Sequence, residues 1–100
     1  MSTGLNKKDK DRIINILKKY PTVHLVHLFG SRATGNYKPG SDIDLAIINT
    51  RVDENTIKQI KSDLEESSLP YFVDIVYYPD LKHEELRTHI DSAGVVFYNN

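Results

Sequence analysis

An α/β fold of the α+β kind, a mixed sheet with helices packed mainly on one face, is what this 100-residue sequence predicts. Two observations carry that expectation. Segments with a helical apolar stripe alternate with short β-branched apolar runs, and strands separated by helices build a layered sandwich. Three carboxylates on or beside those runs, Asp42, Asp44 and Asp74, need one accessible face of the sheet, which disfavours the doubly wound arrangement with helices over both faces.

Ile13, Ile14, Leu17 and Tyr20 recur at helical spacing and Pro21 stops the pattern, which predicts a first helix over residues 7–20. A strand over 23–29 leads into a short helix that starts at Ser31 and ends near Gly35. Pro39 and Gly40 punctuate a turn through 37–40, and a strand over 42–48 follows. Ile57, Ile60 and Leu64 share one stripe of a helix over 54–66, with Asp53 as its cap. Pro70 separates that helix from a strand over 71–78. A last helix over 82–90 stops before Gly94, leaving 95–98 as a short edge strand or an extended tail.

Chemistry concentrates around two of these junctions. Gly30 stands where the chain must turn sharply out of a strand, and Ser31 opens a helix. Unpaired amides at a helix start attract anions, a serine hydroxyl adds a donor, and glycine lets the backbone approach closely, so Gly30-Ser31 reads as a phosphate cradle. Arg32 either adds positive charge for the nucleotide or holds the loop through a surface ion pair.

Asp42 and Asp44 are two apart on a strand and so share a face, their Cα atoms about 6.5–7 Å apart. Two anions that close raise a pKa unless a cation joins them, and hard carboxylate oxygens suit Mg²⁺. Asp74 is the single charge in an apolar strand, where a carboxylate must neutralise, pair or bind metal. On a strand next to Asp42 and Asp44 it completes a metal site and stands ready to take the proton of an attacking hydroxyl. The plainer alternatives are a serine cap beside a solvated Asp-x-Asp turn, and an Asp74 that faces solvent from an edge strand.

Gly30-Ser31, Asp42, Asp44 and Asp74 together resemble the signature of the polymerase-β-type nucleotidyltransferase superfamily, and the brevity of the chain resembles its minimal, single-domain branch, the MNT proteins. The likeness covers residues 24–78. It implies a polymerase-β-like fold in which Gly30, Ser31 and Arg32 bind the nucleotide, while Asp42, Asp44 and Asp74 are catalytic and hold Mg²⁺ as a two-ion site. ATP is then the substrate: an acceptor hydroxyl attacks its α-phosphate and pyrophosphate leaves. Members of the branch often stand beside a small helical HEPN protein and silence it by transferring AMP to a tyrosine, so the resemblance implies a HEPN-type partner and an antitoxin role. The alternatives are a small-molecule nucleotidyltransferase that borrows a substrate-binding subunit and a non-catalytic antitoxin that neutralises by contact.

Composition bounds the rest. At 39% hydrophobic, 100 residues support one ordinary core over residues 1–100 and leave no room for an acceptor-binding module, so that module is expected from a partner or from a homodimer. Thirteen Lys and Arg against fourteen Asp and Glu give a net charge of −1, and the Lys7, Lys8, Lys10 and Arg12 run reads as a solvated helix face, which argues against nucleic acid. No apolar stretch reaches the ~20 residues of a membrane span and no signal-peptide core opens the chain, so a cytoplasmic protein is expected. The absence of cysteine excludes disulfides and thiolate metal sites.

His24 and His27 fall on opposite strand faces, and His83 and His89 are six apart on a helix, so neither pair is spaced to bind a metal. Tyr71, Tyr77 and Tyr78 flank Asp74, either as half-buried packing residues or as a stack for a nucleotide base.

Overall fold

In a computed structural model that describes residues 3–100, four α-helices and four strands follow one another, with a 3-10 turn at Tyr78–Asp80. They are α1 (Lys7–Lys18), β1 (Leu25–Phe29), α2 (Ser31–Thr34), β2 (Ile43–Ile47), α3 (Glu54–Glu66), β3 (Val73–Tyr77), α4 (Glu84–Ala93) and β4 (Val95–Asn99). Helix α1 ends two residues early, because Tyr20 precedes Pro21 and that position disfavours helical backbone. Helix α3 occupies the expected residues, with the Asp53 carboxylate accepting the Thr56 amide at 2.7 Å. Helix α4 starts later than expected and runs on to Ala93, capped by Nδ1 of His83, which accepts the Leu86 amide.

The strands form a mixed sheet in the order β3-β2-β1-β4. Strand β1 pairs antiparallel with both β2 and β4, while β2 and β3 run parallel. Residues 95–99 are therefore an edge strand rather than a tail.

Alternation along the strands gives the sheet two unlike faces. On one, Val26, Leu28, Ile43, Leu45, Ile47 and Ile75 pack with Ile13 and Leu17 of α1 and Ile60 and Leu64 of α3 to make the main core. The other carries a smaller cluster in which Phe29 and Ala46 meet Ile90 of α4, with Val76 beside them. Helices thus lie mainly on one face, as the pattern predicts, and α4 covers part of the second. No helix among the described residues is long and apolar enough to cross a membrane.

Candidate functional site

The acids lie on the α4 side of the sheet. Asp44 shares strand parity with Ala46, and Asp74 with Val76, so both point away from the main core. Parallel pairing sets Asp44 directly against Asp74, and the antiparallel pairing of β1 sets Phe29 against Asp44. Strand β3 is at an edge, yet Asp74 is half-buried beside Asp44 instead of looking out alone. Asp42 is exposed, just before β2 begins.

Electrostatics ties the three together. Burial pushes the Asp44 carboxyl above its ordinary value, repulsion from Asp74 and then Asp42 pushes it further, and His89 draws it back. As the side chains stand, no three His, Asp or Glu among the described residues are gathered closely enough to hold a metal. They form a row of carboxylates whose repulsion a hard divalent cation relieves, and an all-oxygen donor set of this kind suits Mg²⁺.

Gly30 brings the backbone into the same place. It leaves β1 with φ 76° and ψ −158°, a conformation that side chains resist, and a Cβ here would collide with Oδ2 of Asp44. Turn and acid touch because the residue is glycine. The Gly30 carbonyl accepts the amides of Ala33 and Thr34 at 3.1 and 3.2 Å, which opens α2 with Ser31 as its first residue. Gly35, left-handed at φ 87°, closes it after a single turn. The first amides of any such helix lack partners within it.

Of the two readings of Arg32, its contacts match the one in which it holds the loop. Only 2% exposed, its guanidinium donates to the Ser41 carbonyl from Nε at 3.1 Å and from Nη2 at 2.8 Å, and to the Thr3 carbonyl from Nη1 at 2.9 Å. The rings of Tyr37 and Tyr71 lie against it. A planar fork matched to carbonyls and rings holds the loop ahead of Asp42, through backbone acceptors rather than a surface ion pair. The tyrosines near Asp74 are packing residues too. Tyr71 lies on Arg32, the Tyr77 hydroxyl accepts the Val52 amide, and the Tyr78 hydroxyl meets Asp91 while Arg87 covers its ring.

Sequence reasoning weighed the histidines as metal ligands against structural or surface roles and did not place His89 beside the turn. Its Nε2 accepts the Gly30 amide at 2.9 Å, and its ring stands edge-on to Phe29, 6.0 Å between centroids and 73° between planes. The one signal for it is its position next to Ile90, the buried residue of α4, on the side of the helix that meets the sheet.

Carboxylates on adjacent parallel strands, meeting a glycine-serine helix start, are an arrangement whose chemistry suits phosphoryl transfer. A model of the family described as Polymerase beta, Nucleotidyltransferase matches residues 11–100, and the chain belongs to that family. Among its relatives are aminoglycoside (3'') (9) adenylyltransferases of Klebsiella pneumoniae and Escherichia coli, each 39% identical over 59 residues, 56% of this chain and 22% of the relative. The chain thus spans about a fifth of the length of those relatives. Its fold is similar to that of a toxin-antitoxin structure solved with AMP-PNP, at TM-score 0.72 and 26% identity over 91% of this chain and 73% of that one. A similar fold, at TM-score 0.70 and 22% identity over 96% of this chain and 74% of the other, occurs in a complex of tri-AMPylated Shewanella oneidensis HEPN toxin with MNT antitoxin.

Proposed function

We propose that the chain, read as one minimal nucleotidyltransferase domain over residues 1–100, transfers AMP from ATP to a tyrosine hydroxyl of a small helical HEPN-type partner and so acts as its antitoxin. The observation that carries the chemistry is the juxtaposition of Asp44 and Asp74 in register, with the Gly30 turn against Asp44. The partner is suggested by the toxin-antitoxin structure at 26% identity.

In this reading the Gly30-Ser31 turn receives the triphosphate through backbone amides and the Ser31 hydroxyl. Asp42, Asp44 and Asp74 would hold Mg²⁺, which when bound neutralises phosphate charge and orients the reacting groups. Asp74 takes the proton of the acceptor hydroxyl as the new oxygen–Pα bond forms and the bond from Pα to the bridging oxygen of pyrophosphate breaks. The product is a phosphodiester to AMP on the acceptor, with pyrophosphate released. The expected setting is cytoplasmic.

A second reading has its own support in the 39% identity to aminoglycoside adenylyltransferases: a small-molecule acceptor, bound with the help of another subunit. Intact-mass measurement separates the two. After incubation with ATP and Mg²⁺ together with a co-expressed helical neighbour, AMP gained on a tyrosine of that protein supports the first reading. An AMP-modified small molecule with the protein unmodified supports the second, and no transfer to either overturns both.

A further inference from the structure

We infer that His89 is a positioning residue, and that α4 reaches across the sheet to hold the phosphate-binding turn through it. For its purpose the inference rests on the transfer reading above; for its geometry it rests on three contacts. Gly30 is the last residue before α2 and the first beyond β1, so its amide leaves the strand pairing with no sheet partner of its own. That amide donates to Nε2 of His89 at 2.9 Å, while the Gly30 carbonyl is fixed from the other side by Ala33 and Thr34. The peptide groups on both sides of the residue that must adopt φ 76° are thereby restrained, one of them by a side chain 59 residues away in sequence.

The ring is itself held. It stands edge-on against Phe29, the residue that precedes the turn and pairs with Asp44. His89 lies on the α4 face, outside the main core. It fixes the residue whose missing side chain lets Asp44 lie against the backbone. Glycine is as free to leave this conformation as to adopt it, and His89 restrains its amide while α2 restrains only its carbonyl.

Two variants separate the acceptor from the ring. In His89→Phe the edge-on packing on Phe29 survives and the acceptor is lost; in His89→Gln a side-chain oxygen takes the place of Nε2 and the ring is lost. In His89→Phe the Gly30 amide, followed by NMR hydrogen exchange in the nucleotide-free protein, exchanges about tenfold faster. The same variant binds AMP-PNP in the presence of Mg²⁺ about fivefold more weakly. His89→Gln returns both quantities to within about twofold of the parent. A role in packing alone gives the opposite ranking, with His89→Phe the milder variant. Unchanged Gly30 exchange in His89→Phe overturns the inference. If the parent protein binds no nucleotide, the transfer reading fails and the exchange measurement still decides the anchor.

Discussion

The two faces of the sheet are built from neighbouring residues and obey opposite rules. Toward α1 and α3 the sheet presents Ile43, Leu45 and Ile47, each fully buried, closed over by two helices. Toward α4 the residues between them include Asp44, half-buried and repelled by Asp74 and Asp42, with a smaller apolar cluster around Phe29, Ala46 and Ile90 as its buttress. Strand alternation permits this, since a one-residue step moves a side chain from one face to the other. The comparison teaches that stability and chemistry are separated by the pleat rather than by distance. The acid face tolerates its strain because the opposite face does not share it.

The sharpest test compares adjacent positions. Asp44→Asn keeps the shape and removes the charge; transfer falls on the order of a thousandfold. Its melting temperature holds or rises in the metal-free protein, because a buried charge and its repulsion with Asp74 and Asp42 are gone. Full Mg²⁺-dependent release of pyrophosphate by this variant breaks the assignment. Leu45→Ala, one step along β2 and on the other face, does the reverse. It loses about 2–5 kcal/mol in urea unfolding, because a fully buried side chain leaves a cavity. The protein that remains folded keeps its KM for ATP.

Much of this was legible beforehand, and the reason differs by region. The core face writes itself into the sequence as local periodicity: α3 and its Asp53 cap fall on the expected residues because stripe and cap lie within one turn of each other. The Asp-x-Asp pair is likewise local, although β2 begins at Ile43, so the strand itself holds Asp44 and leaves Asp42 exposed just ahead of it. Parallel register between Asp44 and Asp74 is a long-range fact that a lone charge in an apolar strand only hinted at. The loop-holding contacts of Arg32 could not be read ahead, because the Ser41 and Thr3 carbonyls and two rings come together around it only when the loop folds back. His89 left almost no local trace, since its function is a contact with Gly30 across the fold.

Arg32 itself provides the next test, because it belongs to the structure beneath the site rather than to the site's ligands. Arg32→Lys keeps the charge and removes the planar fork, so the Ser41 and Thr3 carbonyls lose matched donors and the two rings lose their plate. A loss of about 1–3 kcal/mol in unfolding free energy is expected. Affinity for Mg²⁺-ATP, measured well below the melting temperature, changes by less than about twofold, since the guanidinium's donors are spent on the Ser41 and Thr3 carbonyls and not on a phosphate. A large affinity loss with stability intact restores the phosphate role.

The smallest effects come from pH, and there the two faces respond in opposite directions. On the α1–α3 side, hydrogen bonds from Tyr20 and then Lys19 hold Asp63 below the ordinary 3.8. A lowered carboxylate contributes stability that is present above 3.8 and lost as pH falls through its folded value. Asp44 is raised above 3.8, so its charge becomes a cost as pH rises through its folded value, and acid relieves it. Tyr20, pushed up to about 12 from 10.0 chiefly by burial and then by its bond to Asp63, contributes stability that is full below pH 10 and lost as pH climbs toward 12. Unfolding by urea from pH 3 to 11 therefore separates the faces with two variants. Tyr20→Phe reduces the loss on the acid side and flattens the decline above pH 10, by less than about 1 kcal/mol because the Lys19–Asp63 pair it joins is partly exposed. Asp44→Asn leaves the alkaline limb untouched and makes the acid-side loss steeper, since the compensating relief has been removed. Matching profiles for the two variants mean that the faces are electrostatically coupled after all.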